Sequence, residues 1–581
     1  MLNFKMSKTK NPKSLYNLCI NIAVVDCLTL CKFCKKDFRI LPNNVLFDFY
    51  YKMYIEDGLW LLGLEYSELE VFSRMLKVKH NRTKLLKSFQ SLIKRDSNIM
   101  YELIKGYAKL KLHPETINFK TIELGLQLGT FFNEGGWYSY AIQVLDYVEE
   151  MCRQMEQTTE VLCKLLECYQ KRLQAEATFC MFKEAEKTYN LANLLVIELK
   201  QLNALPNLSS LYALFSALFF VRSEYDEAYS WAKNSLLLLK DNLPTRIIVE
   251  VLRQASKSCV VKRRFDQAGL LIRQAVSLAS KLYKTDEHPS YSDTLIDYGF
   301  FLLNFDSIQQ SVKVYEKALS IRKDVFDSDN IHVAIGYEDL AYALYVNEYS
   351  SGRFNAASEN IEAAIKIFER ILPKDHLMLA SAKRVKALIL EEIALDLRDL
   401  TNPCSQEELL AESERLHKSA LALSHAAFGE RNVQTAKHYG NLGRLYQSMM
   451  EYEEAEKMHL RAIAIKEELL GPDDYEVALS IGHLASLYNY HMKRHRDAEK
   501  LYKRSIEINL RLFGDSYSGL EYDYRGLINV YTELHDIETM LHYTQLMREW
   551  KCKRDVQVPI KIYPDSVQPL HVVIQKFFDL C

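Results

Sequence analysis

Glycine and proline are scarce. The 581 residues include 19 Gly and 12 Pro, roughly half the share of an average chain. Strand-and-turn folds need these residues at their corners, whereas helix interiors exclude them, so a mostly α chain follows. No sign of charge dominates either. With 74 basic and 76 acidic residues and a net charge of −2, no global field draws the chain onto nucleic acid or an anionic membrane, and nucleic acid is not an expected partner. No stretch approaches the about 18 uninterrupted apolar residues of a spanning helix. The 12 cysteines follow no regular framework, as in reduced intracellular proteins. Catalytic signatures are missing as well. There is no His-Glu-x-x-His, Gly-rich phosphate loop or Gly-x-Ser-x-Gly elbow, so we expect no catalytic residues, no cofactor and a non-enzymatic function. Cys31 and Cys34, with Cys27 nearby, have metal or redox spacing. They lack a second Cys or Cys/His pair at zinc-finger distance, so inert thiols read better than a zinc site and no metal is assigned.

What is present is an ordinary soluble composition, 48% hydrophobic and 26% charged. At the start, a basic arm (Met1 to Lys13) precedes a fairly apolar run (Leu15 to Cys31), as in a secretory signal. Asn17, Asn21 and Asp26 interrupt that run and no small-x-small cleavage site closes it. We therefore expect a cytoplasmic location that extends to the nucleus.

Internal repeats decide the architecture. Asn441-Leu442-Gly443-Arg444-Leu445-Tyr446 recurs 42 residues later as His483-Leu484-Ala485-Ser486-Leu487-Tyr488, and a third copy begins at Gly526. Between them Tyr452…Ala455 is matched by His495…Ala498. The same bulky-x-x-Ala element runs upstream through Phe354…Ala357, Phe265…Ala268, Tyr225…Ala228, Phe182…Ala185 and Tyr138…Ala141, with alanines mostly 40 to 46 residues apart. A gap of 98 between Ala357 and Ala455 leaves room for two units, the second near Glu408 to Phe428 after an irregular loop at Thr401-Asn402-Pro403. Each unit reads as two antiparallel helices. Leu442, Gly443 and Tyr446 share one face of helix A, and Gly443 removes bulk where helix B crosses. One hairpin cannot cover its own apolar face, so neighbours must stack. The 36 tyrosines fall mostly at repeat positions, where core packing explains them. The pattern resembles the tetratricopeptide repeat in the longer form of kinesin light chains. It implies an all-α solenoid over residues 121–550, about nine to ten units.

A different segment precedes the repeats. Asn11-Pro12 can start a helix, along which Leu15, Cys19 and Ala23 form one stripe. After a basic connector (Lys32, Lys35, Lys36, Arg39), Leu41-Pro42 opens a second helix with Val45 and Phe49 on a common side. Their order and spacing resemble the elongin-binding box and the cullin-2 box of von Hippel–Lindau-type ligase receptors. That resemblance implies that Leu15, Cys19 and Ala23 contact elongin C, and that Leu41, Pro42 and Val45 contact cullin-2. The alternative for residues 14–60 is a hairpin that caps the solenoid. Residues 61–120 read as a helical connector, and 1–13 and 551–581 as divergent ends.

The whole chain, from about Ser14 to Trp550, is similar to the amyloid protein-binding protein 2 family, through stretches such as Leu252-Arg253-Gln254-Ala255-Ser256-Lys257, Gln434-Thr435-Ala436-Lys437-His438-Tyr439 and Ser518-Gly519-Leu520-Glu521-Tyr522. The similarity implies a substrate receptor of a cullin-2 RING ubiquitin ligase, with elongin B/C and cullin-2 and its RING subunit as partners. Its substrates would be proteins whose C-terminal tails contain Arg and end near Gly. The alternative is a cargo adaptor that links tails, such as that of amyloid precursor protein, to kinesin or microtubules. In such a groove Arg253 with Lys257, or Arg525 with Asn529, offers a clamp for a free carboxylate. Asp293, Asp297, Glu338 and Asp339 could take a substrate Arg, and Arg444 faces the groove in its own unit. The other reading of these charges is that they keep the groove solvated.

Overall fold

A computed structural model describes residues 14–30, 40–95, 98–283, 288–349, 352–396, 403–556 and 567–580. The arm before Ser14, the connector with Cys31, Cys34 and its four basic residues, and Thr401-Asn402 lie outside the described residues. Among the described residues there are 27 α-helices and no strand. None is long and apolar enough to cross a membrane. Contacts divide the chain into two units: residues 1–175 with 325–327, and residues 176–324 with 328–581.

In the first unit, helices Leu15–Leu30 and Asn43–Ile55 precede four short helices: Leu59–Ser67, Leu69–Leu76, Arg82–Arg95 and Asn98–Lys111. The hairpin of Phe119–Gly135 with Tyr138–Gln154 follows. Aromatic rings hold these pieces together. Phe89 lies 5.1 Å from each of Phe72, Phe131 and Trp137, centroid to centroid, within the range in which tilted and edge-to-face pairs attract.

The second unit is a stack of helical hairpins. From Ser209–Val221 with Tyr225–Leu237, it runs through Thr245–Val261 with Phe265–Leu282, Pro289–Asn304 with Ile308–Phe326, and Ile331–Glu348 with Asn355–Ile371. Met378–Asp396 with Pro403–Phe428, Val433–Ser448 with Tyr452–Leu470, Tyr475–Ser486 with His495–Phe513, and Leu520–Glu533 with Ile537–Asp555 complete the series. The interval between Ala357 and Ala455 thus holds two units, as the spacing predicts.

The repeat chemistry is visible in each crossing. Ala455, Ala462 and Ala498 are fully buried. A Cβ on Gly443 would stand 2.9 Å from the His459 ring, and one on Gly526 would stand 2.2 Å from that of Tyr502. The tyrosines do more than fill space. Tyr446, Tyr488 and Tyr531 each donate their hydroxyl to a glutamate 32 residues earlier, Glu414, Glu456 and Glu499, at 3.1, 2.6 and 2.7 Å. Each bond ties helix A of one hairpin to helix B of the preceding hairpin.

The end of the chain belongs to this unit. Helix Leu570–Asp579 buries Leu570, Val573 and Phe577 in the apolar cluster of helix Phe265–Leu282. Gln274 takes the tail backbone in both directions: its Nε2 donates to the Gln568 carbonyl at 2.7 Å, and its Oε1 accepts from the Gln568 amide at 3.1 Å. A tail that looks divergent in sequence therefore has a built seat.

Candidate functional site

In the first unit, helix Leu15–Leu30 turns Val24 and Cys27 inward and leaves the expected stripe outside. Leu15 is 77% exposed and Ile22 62%, and Cys19 and Ala23 are exposed too. With Leu18 and Val25, also exposed, they make an apolar ridge. The Tyr16 hydroxyl donates to Asp48 Oδ2 at 2.8 Å, joining this helix to Asn43–Ile55. Pro42, at the N-cap of that second helix, is exposed, while Leu41 and Val45 are half-buried. Arg74 fixes the entry to the helix: its Nε donates to Asn43 Oδ1 at 2.8 Å and its Nη2 to the Leu41 carbonyl. The six residues expected at the docking hook thus lie on two joined helices and the Leu41-Pro42 entry to the second, and none is sealed in the core.

In the second unit the groove-facing charges are largely paired with each other. Arg253 Nε donates to Asp297 Oδ2 at 2.7 Å, and Lys257 Nζ lies 3.4 Å from Asp297 Oδ1 and over the Phe220 ring. The clamp expected for a ligand carboxylate is therefore already filled by one of the chain's own carboxylates. Asp293 is held by Arg322 at 2.8 Å. Burial alone would raise its pKa, but Arg322 and Arg253 bring it down to about 2. Arg444 is locked the same way: Nη2 donates to Glu391 at 2.8 Å and Glu392 at 3.2 Å, and Nη1 to the Tyr345 hydroxyl at 3.1 Å. Arg525 is exposed and pairs with Glu521 of its own helix at 2.5 Å; Asn529 is half-buried one turn further along. Glu338 and Asp339 are half-buried. Burial, and for Asp339 also the neighbouring Glu338, pushes both carboxyls up, Asp339 to about 7. Arg384, whose guanidinium stacks 5.0 Å over Tyr342, adds a groove cation opposite Glu338 that the repeat count did not single out.

A second periodic element, which the small-residue spacing does not single out, runs along helix B. Four residues after the small residue of helix B stand Arg322 (after Ala318), Lys466 (after Ala462) and Asn509 (after Ser505), each buried. Arg322 and Lys466 reach the first turn of the next helix A, donating to the carbonyls of His332 at 2.7 Å and Glu476 at 3.3 Å. Each also neutralises a groove carboxylate, Asp293 or Glu476. Where the cation becomes Asn509, the carboxylate it faces, Asp523 on the next helix A, meets neutral donors: Ser505 Oγ at 2.7 Å and Asn509 Nδ2 at 3.4 Å. Burial then pushes Asp523 up to about 7. Asp523 and Asn509 form part of the wall of a cavity of about 770 Å³ within the second unit, together with Tyr345, Tyr349, Tyr522 and Trp550. Asn509 Oδ1 has no hydrogen-bond partner there.

Stacked hairpins with a small-residue crossing and an inward-facing polar groove define a tetratricopeptide-repeat protein, a scaffold for holding other proteins. A tetratricopeptide-repeat family profile matches residues 404–468 and 434–511. The chain belongs to the amyloid protein-binding protein 2 family: it is 46% identical over 574 residues to the mouse member, covering 97% of each chain. The rat member matches to the same extent. The solved structure of RapI without ligand aligns over 67% of this chain and 98% of its own, at 13% identity and a TM-score of 0.40.

Proposed function

We propose that this chain is the substrate-recognition subunit of a cullin-2 RING ubiquitin ligase. The ridge on helix Leu15–Leu30 docks elongin C, Leu41-Pro42 with Val45 meets cullin-2, and the groove of the second unit holds the C-terminal tail of a substrate. Ubiquitin transfer falls to the RING subunit and its partner enzyme, and the receptor contributes proximity and orientation. The observation that carries the reading is the ridge itself. Leu15, Leu18, Ile22 and Val25 are all 44–77% exposed, which a hairpin serving only to cap the repeats would bury.

In the groove, ligand chemistry follows from what is not already neutralised. Asp339, whose carboxyl burial and the neighbouring Glu338 push up, gains from a cation that an Arg of the tail supplies, and Arg384, which faces Glu338, offers a fork to a carboxylate. The name of the family's mouse and rat members points to an amyloid protein as one cargo.

The test of the hook is Leu15→Ala with Cys19→Asp. Both positions are exposed, so stability should change by less than about 0.5 kcal/mol, while co-purification with elongin B/C and cullin-2 is lost. Retained co-purification refutes the docking assignment. For the groove, a library of C-terminal peptides is compared as free acid and as amide, and equal binding of the two forms speaks against carboxylate recognition.

A further inference from the structure

Four consecutive turns of the second unit, the first at Phe179 between helices Thr159–Thr178 and Phe182–Gln201, touch the hairpins five places further along the chain. The contact has the same form each time: the turn between helices A and B meets the residues that open a later helix A. Phe179 stacks on His376, 4.5 Å between ring centroids. Asn432 Nδ2 donates to the Arg222 carbonyl at 2.9 Å, and Gln434 Nε2 to Ser223 Oγ at 3.1 Å. Arg263 lies 3.6 Å from Asp474 and 5.0 Å over the Tyr475 ring. Asp306 accepts from the Ser518 amide at 2.9 Å and its hydroxyl at 2.6 Å, and pairs with Arg554. The hydrogen-bonded partners stand 210, 211 and 212 residues apart, which is five repeats. A second row follows the first, Phe182 on Phe428 and Phe265 on Phe513. The stack therefore returns onto itself after five hairpins, and the groove becomes a lumen with a lateral seam. Asp306, Ser518 and Arg554 of that seam also line the 770 Å³ cavity.

We propose that the seam is a latch on the peptide groove. Closed, it walls the lumen along its side, so that a polypeptide reaches the cavity only by a free end that enters along the axis. Parted, it admits an internal segment from the side. The inference rests on the reading of the groove as a peptide receptor, and it assigns Asp306 as the hub of the latch.

The backbone supplies a clean perturbation. Ser223, Arg263 and Asp306 have φ of +64°, +57° and +63°, values that glycine adopts without strain. Ser223→Gly, Arg263→Gly and Asp306→Gly together remove the polar side chains that three of the turns contribute to the seam and keep the turns. The probe is a synthetic Arg-containing peptide ending in Gly with a free carboxylate, compared with the same sequence carrying a folded domain at each end. The wild type should bind the free-ended form about tenfold or more tighter, and the triple variant should lose most of that discrimination. Equal binding of both forms by the wild type overturns the latch, as does full discrimination in the triple variant. Should neither peptide bind the wild type, the receptor reading fails and X-ray scattering decides the latch separately. A larger radius of gyration in the variant supports it, and an unchanged one overturns it. Asp306→Gly alone, read the same way, serves if the triple variant does not fold.

Discussion

Replacing Arg444 with Ala separates a structural arginine from a ligand-binding one. Its guanidinium contacts Glu391, Glu392 and Tyr345, and the Glu391 side chain is only 1% exposed. Without Arg444, Glu391 keeps one hydrogen bond from Ser448 Oγ at 2.9 Å, far short of what a desolvated carboxylate requires. Breaking a buried pair by removing one partner costs about 3–5 kcal/mol, because the other charge stays behind. The buried setting here puts the expected loss in that range. Urea unfolding followed by circular dichroism measures it, and a second change, Glu391→Gln, should restore more than half by removing the stranded charge. A loss below about 1 kcal/mol, accompanied by abolished peptide binding, would refute the reasoning and return Arg444 to the ligand.

Gly526→Ala should destabilise the last hairpin. Overpacking against the buried Tyr502 ring, 2.2 Å from the new Cβ, costs about 1–3 kcal/mol, against about 1 kcal/mol that Ala gains in a helix; Tyr502→Phe, which keeps the ring, should not relieve it in thermal melts. Asp523, raised by burial from 3.8 to about 7, contributes stability that is full below 3.8 and disappears as pH rises through about 7. Asn509→Lys should restore the buried cation of the other repeats and make urea midpoints at pH 8 rise toward those at pH 5. His459 has the opposite sign. Burial first, then Arg444 and Lys466, lowers it from 6.5 to about 3, so its contribution is present above 6.5 and lost as pH falls toward 3. His459→Leu should therefore flatten the acid limb of the same titration.

Much of the fold was legible in the chain because a repeat writes its packing rule several times over. Gly443, Ala455 and Ala462 marked the crossings, and the tyrosine positions marked the interfaces between hairpins. The Tyr–Glu bonds and the Arg322, Lys466 and Asn509 series are equally periodic, but a single polar residue in one unit reads no differently from solvated surface. The groove was less legible. Arg253 and Lys257 looked like a clamp, but Asp297 one hairpin on fills them. Arg444 looked like a donor, but Glu391 and Glu392 in the preceding hairpin hold it. A count within one unit cannot see the charge that the next unit places opposite.

The division has a physical basis. Local periodicity dictates where helices begin, which face is apolar and how closely two neighbours approach, since those depend on residues within about one repeat. The meeting of Asp306 with Ser518, and of Arg222 with Asn432, depends instead on a small rotation between hairpins added up over five of them. No single unit encodes that sum, so the seam, the lumen it encloses and the seat of the C-terminal helix emerge only once the hairpins are stacked.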